Sequence, residues 1–309
     1  MYKKMLVPLD GSELAEVVFT YAKELAGSLN IDVILLYVCS SAMREFVPMH
    51  RAYIEQAVET IRRQSQEVRE KQGIQPAGKP AEVRGEVAVG YAAEEILHYA
   101  EENDVDLILM ATHGRSGIRR WVMGNVADKV LSASDIPVWL VRSGVPETPY
   151  DQWPKRTIIV PLDGSELAES VLPHAEALSK QGGAELVDVV LLRVCEPPTT
   201  PSYYIPEVSE APVNWGEHIQ EETIKGKQVA TEYLAGIEKR LKDSNINVRS
   251  EVLVGRATDE IIDYANKNPF NLIVMATHGR SGLSRWVYGS IADNVLRGVS
   301  SPIFLIRTH

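Results

Sequence analysis

Two stretches of the sequence, ATHGRSG at residues 111–117 and VPLDGSELAE at residues 7–16, decide the fold because each occurs twice. The first returns at residues 276–282 and the second at residues 160–169. A repeat this long is a duplicated domain and not the unit of roughly 20–50 residues from which solenoids are built. The sequence therefore predicts two homologous domains, each with the same pair of loops.

Length and composition agree with two domains of ordinary size. The 309 residues divide into residues 1–144 and 155–309, joined by a proline-containing linker at residues 145–154. Each half can bury a core of its own, because a domain of about 150 residues hides roughly 70% of its unfolded surface. A hydrophobic content of 45% and a charged content of 24% are typical of globular proteins.

The charge and the cysteines exclude several kinds of protein. With 32 basic and 42 acidic residues the net charge is −10, which argues against nucleic acid or an anionic membrane as the main partner. Cys39 and Cys195 end equivalent apolar runs, so we expect buried small side chains and not a disulfide or a metal site. The first apolar stretch ends at Asp10 and is too short for a signal segment or a membrane span. We expect a cytoplasmic protein.

Short β-rich runs alternate with longer helical patterns in both halves. In the first half the predicted strands are residues 4–9, 32–38, 82–89, 107–111 and 138–141, and the predicted helices are 13–29, 52–72, 92–103 and 126–133. In the second half the strands are 157–162, 184–194, 248–254, 272–276 and 303–306, and the helices are 166–180, 217–242, 258–266 and 291–297. This alternation predicts an α/β fold in which each half is a five-stranded parallel sheet with helices on both faces.

A glycine-rich loop follows the fourth strand of each half and leads into the last helix. Gly114, Gly117 and Gly124 permit tight turns and let a ligand approach the backbone, and Arg115 adds positive charge. The next helix offers free N–H groups and the positive end of its dipole, which favour an anion. The second-half counterparts are Gly279, Gly282, Gly289 and Arg280, with Ser290 after the last glycine. Each loop is predicted to bind an anion; the alternative is a turn that only connects strand to helix.

Asp10 and Asp163 follow the first strand of each half in an Asp-Gly-Ser sequence. Ser12 and Ser165 are expected to be helix N-caps, which explains part of this sequence without a ligand. In the functional interpretation, the Asp carboxylate binds the ribose hydroxyls of a ligand. Ligands of open α/β sheets bind at the carboxyl ends of the strands, where the strand order reverses. There the Asp-Gly-Ser turn and the glycine loop should meet.

Two further features carry open alternatives. His113 and His278 precede the loop glycines and suit a phosphate contact better than catalysis, because no acid or nucleophile accompanies them. The halves differ most at residues 196–216, a stretch rich in proline and aromatic residues. Such a long loop is either a lid or interface element or a plain surface loop.

These residues resemble the universal stress protein family in its tandem two-domain form. The ATP-binding branch of that family carries Gly, two residues, Gly, nine residues, Gly and then Ser or Thr. The second half matches with Gly279, Gly289 and Ser290, and has Ala276 at the first glycine; the first half has Ala111 there and Asn125 at the Ser or Thr position. The resemblance implies tandem flavodoxin-like (adenine nucleotide alpha hydrolase-like) domains and favours nucleotide binding in the second half.

The resemblance also assigns roles to individual residues. Asp10 and Asp163 would contact ribose, the backbone of Val38 and Val194 would meet adenine, and the loop glycines with Asn125 or Ser290 would hold the phosphates. The complete set of implied nucleotide-binding residues is Asp10, Val38, Met110, His113, Gly114, Arg115, Gly124, Asn125 and Val126 in the first half, and Asp163, Val194, Met275, His278, Gly279, Arg280, Gly289, Ser290 and Ile291 in the second. We assign no catalytic residue and no metal ligand.

The implied function is that of an ATP-binding stress or regulatory protein, with Mg²⁺ accompanying the nucleotide and a regulatory partner that the sequence does not identify. A nucleotide-free interaction module and a slow ATPase or autokinase are the alternatives. The family also implies that the halves pair through their last strands, at residues 137–142 and 302–307. We therefore expect an intramolecular pseudo-dimer, with a homodimer of the chain as a further level of assembly.

Overall fold

The computed structural model describes most of the chain. The described residues are 2–74, 79–112, 123–142, 156–183, 186–198, 215–269, 271–278 and 289–308. The linker predicted at residues 145–154 lies outside them, as does most of the insertion at residues 196–216.

The first half alternates five strands with helices, as the sequence predicts. Its strands are β1 (Lys4–Leu9), β2 (Asp32–Cys39), β3 (Val83–Val89), β4 (Leu107–Ala111) and β5 (Val138–Val141). Its helices are α1 (Glu13–Glu16), α2 (Phe19–Leu29), α3 (Val47–Lys71), α4 (Ala92–Glu102) and α5 (Asn125–Ala133), with a 3₁₀ helix at Ser41–Phe46.

The second half repeats this order. Its strands are β6 (Arg156–Pro161), β7 (Val187–Cys195), β8 (Val248–Val254), β9 (Asn271–His278) and β10 (Ile303–Thr308). Its helices are α6 (Glu166–Glu169), α7 (Leu172–Gly182), α8 (Trp215–Asp243), α9 (Ala257–Lys267) and α10 (Ser290–Gly298). None of the helices in the described ranges combines the length and the apolar character needed to cross a bilayer.

The predicted helices at residues 13–29 and 166–180 are each two helices, α1 with α2 and α6 with α7. In the second half Pro173 lies in the first turn of α7, and its missing amide removes the hydrogen bond that would continue α6. In the first half the break falls at Val17 and Val18, where the amide of Val18 bonds to the carbonyl of Ala15 in a tighter turn. β-Branched residues crowd the preceding turn, which favours a break at this point.

All ten strands form one sheet in the order β3-β2-β1-β4-β5-β10-β9-β6-β7-β8. Among the described strands, pairing is parallel within each half, and the only antiparallel pair, β5 with β10, joins the halves. The predicted α/β fold and the predicted pairing through the last strands are therefore confirmed. In each half the order reverses between the first and fourth strands, so β1 lies beside β4 and β6 beside β9.

Helices cover both faces of this sheet. α2, α3, α7 and α8 pack on one face around a core that includes Leu25, Ile61 and Leu234. α4, α5, α9 and α10 pack on the other face around Ile96, Val130 and Val295. Both cores continue across the junction of the halves, because buried side chains of β5 and β10 contribute to each. Cys39 and Cys195 are free thiols. Cys39 is buried, whereas Cys195 is partly exposed, so the expectation of a buried side chain is wrong for Cys195.

Aromatic side chains fill the junction between the halves. Trp139 of β5 and Phe304 of β10 are buried with ring centroids 5.7 Å apart, and Tyr2 meets Phe304 edge to face at 5.6 Å. The Tyr2 hydroxyl bonds to His174 Nδ1 of α7 at 2.5 Å. Burial lowers the pKa of His174, which favours its neutral ring, and the tautomer of that ring decides which partner donates. Edge-to-face packing contributes specificity beyond the area that is buried.

A buried ion pair also crosses the junction. Arg156 Nη2 at the start of β6 donates to Glu24 Oε2 of α2 at 2.7 Å, and the two side chains are 13% and 0% exposed. Ser28 Oγ donates to the same oxygen at 3.1 Å. Removing one partner from a buried pair leaves the other charge in a medium that solvates it poorly.

We expect Arg156→Met to lower the free energy of unfolding by about 3–5 kcal/mol, because Glu24 keeps a buried charge without its cation. Denaturant unfolding followed by circular dichroism measures this loss. Lys267→Met, which breaks an exposed pair with Asp263, is the control and should change stability little. Adding Glu24→Leu to Arg156→Met should recover part of the loss. Equal stability of Arg156→Met and the wild type would contradict this account of the junction.

Candidate functional site

Each half has one cavity at the carboxyl ends of its first and fourth strands. The first-half cavity has a volume of about 340 Å³ and is lined by Pro8, Leu9, Asp10, Ala15, Leu36, Val38, Ala92, Ile96, Met110, Ala111, Thr112, Gly124, Asn125, Val126 and Ala127. The second-half cavity has a volume of about 240 Å³ and is lined by Pro161, Leu162, Asp163, Ser165, Leu167, Ala168, Leu192, Val194, Ala257, Met275, Ala276, Gly289, Ser290, Ile291 and Ala292. Both lie where the strand order reverses, the usual place for a ligand in an open α/β sheet.

The Asp-Gly-Ser sequence forms the same turn at both cavities. Asp10 Oδ1 accepts hydrogen bonds from the amide and the hydroxyl of Ser12, at 3.0 and 2.6 Å. Ser12 Oγ in turn accepts from the amide of Ala15 and caps α1, as expected. Gly11 has φ +76° and Gly164 has φ +89°, a region that L side chains rarely adopt. The turn thus explains the Gly and the Ser, and it holds the Asp carboxylate at the edge of the cavity.

The helices that open into the cavities begin with glycine. Gly124 is the N-cap of α5 and Gly289 is the N-cap of α10, and among the described residues neither helix has a side-chain cap hydrogen bond. Their first residues, including Asn125 and Ser290, line the cavities. A helix N-terminus without a cap presents unpaired N–H groups and the positive end of the dipole. This end of each cavity is therefore suited to an anion.

The opposite part of each cavity is apolar. In the first half Val38, Ile96 and Met110 form it, and in the second Val194 and Met275 are the corresponding residues. Met110 and Met275 are buried, whereas Val38 and Val194 are partly exposed at the strand ends. Flat heterocyclic groups bind well against such a surface, because pockets for small molecules combine apolar walls with a few directed polar groups.

The two sites differ beside the Asp-Gly-Ser turn. In the first half Tyr37 stacks on His50 with ring centroids 4.0 Å apart. Arg193 stands at the corresponding position of β7, with its guanidinium 4.6 Å from the ring centroid of Tyr233. Burial alone would raise the pKa of Asp163, but hydrogen bonds from Ser165 and the charge of Arg193 outweigh it and hold that pKa below its usual range. The carboxylate of the second site is thus held ionised.

The structure brings together most residues of the predicted sites. The cavity-lining members are Asp10, Val38, Met110, Gly124, Asn125 and Val126 in the first half, and Asp163, Val194, Met275, Gly289, Ser290 and Ile291 in the second. Residues 113–115 and 279–280 of the predicted sites lie outside the described residues. His278 ends β9, but its side chain also lies outside them. A role in binding stays a prediction for every member of the set.

Sequence reasoning missed the contribution of α4 and α9. Ala92 and Ile96 line the first cavity, and Ala257 lines the second. A signal was present, because Gly90 and Gly255 occupy equivalent places between the third strand and the next helix. Small residues at these helix starts let the helix approach the strand ends and close the cavity from the side.

Comparison with known proteins identifies the class of fold and the family. The description "Universal stress protein family" belongs to the sequence model that matches residues 1–142 and 155–307. The chain belongs to the universal stress protein family, with two such domains in tandem. A crystal structure of a universal stress protein from Archaeoglobus fulgidus shares the fold, with a TM-score of 0.65, 19% identity and 98% coverage of both chains.

Curated relatives align with about half of the chain. A universal stress protein of Methanocaldococcus jannaschii is 28% identical over 152 residues, which cover 49% of this chain and 82% of that protein. The universal stress protein YxiE of Bacillus subtilis is 29% identical over 150 residues, which cover 46% of this chain and all of that protein. One further family member, 20% identical over 46% of this chain with a TM-score of 0.34, has been solved in complex with cAMP.

We expect Ser165→Ala to raise the pKa of Asp163 towards its ordinary value, because the hydroxyl donates to the carboxylate at 2.6 Å. Loss of the α6 N-cap should also lower the free energy of unfolding by about 0.5–2 kcal/mol. An Asp with a depressed pKa stabilises the fold at neutral pH, and this contribution is lost as the pH falls through the folded-state pKa. Carboxyl NMR titration and urea unfolding at several pH values measure both effects.

Ser170→Ala is the matched control for this experiment. Its hydroxyl donates to the carbonyl of Leu167 at the other end of α6 and has no hydrogen bond to Asp163 among the described contacts. The control should leave the pKa of Asp163 unchanged. If Ser165→Ala also leaves it unchanged, the turn does not set the charge of the carboxylate.

Proposed function

We propose that this chain is an ATP-binding regulatory protein whose two cavities hold the nucleotide. One observation carries the proposal: in each half an Asp carboxylate, an apolar wall and an uncapped helix N-terminus line the same cavity. Adenine, ribose and phosphate need an apolar surface, a hydrogen-bond acceptor and an anion site, in that order along the molecule. The volume of the first cavity lies in the range of roughly 300–1,000 Å³ usual for ligand pockets.

The assignment of nucleotide parts follows the lining. Adenine would lie against Val38 and Met110, ribose hydroxyls would donate to Asp10, and phosphates would accept from the amides at Asn125 and Val126. In the second half the corresponding residues are Val194, Met275, Asp163, Ser290 and Ile291. The remaining members of the set are supported by the resemblance of the loops to the ATP-binding branch of the family. They are His113, Gly114, Arg115, His278, Gly279 and Arg280.

The nucleotide would bring its own metal ion. Within the described residues no group of three or more His, Cys, Asp and Glu side chains is arranged to hold a metal. Mg²⁺ is commonly bound through substrate phosphates with few protein ligands, and Asn125 and Ser290 each offer an oxygen near the expected phosphates. We therefore propose that Mg²⁺ enters with ATP and leaves with it.

We propose that regulation works through the occupied and empty states of these cavities. A bound nucleotide would change the surface at the carboxyl ends of the strands that a regulatory partner meets, in the cytoplasm where free thiols such as Cys39 and Cys195 persist. A second copy of the chain is one such partner; because β5 and β10 already pair with each other, a homodimer would use another surface.

Titration of nucleotide-stripped protein with Mg-ATP in a calorimeter tests the proposal. Two sites per chain are expected if Asn125 replaces Ser in function, and one site if only the half with Ser290 binds. ADP and cAMP titrated in parallel identify the preferred adenine nucleotide. The absence of heat, together with the absence of thermal stabilisation at high ATP, would leave the nucleotide-free interaction module as the function.

Gly124→Leu and Gly289→Leu assign the sites to the halves. Each adds a side chain at the N-cap that lines the cavity, and Gly124 has φ −61° and ψ 143°, which a leucine adopts without strain. Each variant should remove one binding event or weaken it at least about tenfold. Gly236→Leu in α8, where an added side chain would enter open space, is the control and should bind as the wild type does. Unchanged binding in both cavity variants would refute the site.

A further inference from the structure

The two helices that open into the cavities are each held at their other end by the opposite half. Arg142 directly follows β5 in the first half, and its Nη1 donates to the carbonyl of Val299 at 3.1 Å. Val299 is the C-cap of α10, the helix whose N-terminus lines the second cavity. Burial lowers the pKa of Arg142, which shows that this guanidinium is partly withdrawn from water.

The reciprocal contact joins β10 to α5. Arg307 Nη1 lies 2.8 Å from Asp135 Oδ1 and donates to the carbonyl of Ala133 at 3.5 Å. Ala133 is the last residue of α5, the helix whose N-terminus lines the first cavity. The Arg307 side chain is only 18% exposed. Arg142 and Arg307 occupy equivalent positions in the repeat, so each half makes the same kind of contact with the last helix of the other half.

Each arginine is also adjacent to the backbone that braces its own cavity. The amide of Thr112 donates to the carbonyl of Val141, the residue before Arg142, at 2.9 Å. The carbonyl of Thr112 accepts from the amide of Gly124 at 2.8 Å. In the second half Thr308, next to Arg307, donates through its hydroxyl to the carbonyl of Thr277 at 3.3 Å. One short segment therefore touches the cavity of its own half and the cavity helix of the other half.

We infer that Arg142 and Arg307 are positioning residues, and that each acts on the cavity of the opposite half, an arrangement that we call crossed. Arg142 fixes the position of the N-terminal amides of α10 at the second cavity, and Arg307 fixes those of α5 at the first. This inference rests on the proposed function of the cavities. A cation at a helix C-terminus stabilises the helix through its dipole and through the unpaired carbonyls. Each helix has nine residues and is about 14 Å long. A displacement of its C-terminus therefore also displaces the N-terminal amides at the cavity by nearly the same distance.

The sheet junction makes the crossing possible. β5 and β10 run antiparallel, so the carboxyl end of each strand lies beside the helix that precedes the other strand. Val130 and Leu131 of α5 and Val295 and Leu296 of α10 are buried, so close packing makes each helix move as one body and a displacement of one end is carried to the other. Binding in one cavity then biases the other, and the coupling is equal in both directions.

Arg142→Gln and Arg307→Gln test the inference in chains that keep one open cavity. In the Gly124→Leu background, where the second cavity binds, Arg142→Gln should weaken Mg-ATP binding about three- to tenfold, whereas Arg307→Gln should change it less than about twofold. In the Gly289→Leu background the roles should exchange. Each arginine variant would thus affect the half to which it does not belong. Arg→Lys at either position keeps the cation and should restore part of the affinity.

Weakening of the arginine's own half, equal weakening of both cavities, or no weakening in any background would overturn the inference. Circular dichroism and thermal unfolding of each variant report whether the fold has been lost. If a Gln variant fails to fold, the Lys variant at the same position is compared with the wild type instead. We then expect a smaller loss of Mg-ATP affinity in the same crossed pattern.

Amide hydrogen exchange separates this inference from the proposed function, because it needs no nucleotide. Arg142→Gln should speed exchange in residues 293–296 of α10, the first amides that are hydrogen-bonded within the helix, and leave residues 128–131 of α5 unchanged, and Arg307→Gln should do the reverse. This crossed pattern in a chain that binds no Mg-ATP would refute the proposed function and retain the structural coupling. Uncrossed exchange in a chain that does bind Mg-ATP would refute the coupling alone.

Discussion

The antiparallel pairing of β5 with β10 is the contact on which the rest of the structure depends. Three residue pairs join the strands, with Trp139 opposite Phe304 at the centre. An isolated five-stranded half would expose its last strand as an unpaired edge, and such edges promote association. Joining the halves here merges both cores and fixes the halves at one angle. The ion pair of Glu24 with Arg156 and the contacts of Arg142 and Arg307 all follow from this register.

The first residues of the helices differ within each half. α1 begins with a Ser cap, and α6 does the same in the second half. α5 and α10 begin with Gly and carry no side-chain cap, although a cap stabilises a helix by typically about 1 kcal/mol. Several other helices, α2, α3 and α7 among them, also lack a side-chain cap, so an uncapped start does not by itself mark a ligand site. What distinguishes α5 and α10 is that their first residues line the cavities.

The repeat made much of the fold predictable, because strand–helix alternation restricts a parallel sheet to few topologies. It also predicted that Asp10 and the glycine loop at Gly114 would meet, since both follow strands at the same sheet edge, and Gly124 at the end of that loop does line the same cavity as Asp10. Contacts without a counterpart in the other half could not be predicted from the repeat. Glu24 and Arg156 are 132 positions apart, and the position equivalent to Glu24 in the second half is Ala177. Only the three-dimensional packing of α2 against the second half shows why a carboxylate is buried there.

Some differences between the halves lie at the strand ends, beside the cavities. Tyr37 stacked on His50 in one half is replaced by Arg193 stacked on Tyr233 in the other, and Ala230 fills the place that corresponds to His50. This exchange keeps the packing beneath the Asp-Gly-Ser turn but adds a cation beside Asp163. With Asn125 and Ser290 also different, the cavities share a frame and differ in charge. Under the proposed function, two unlike cavities on one sheet would bind the same nucleotide with different affinities, and the protein would respond to it at two concentrations.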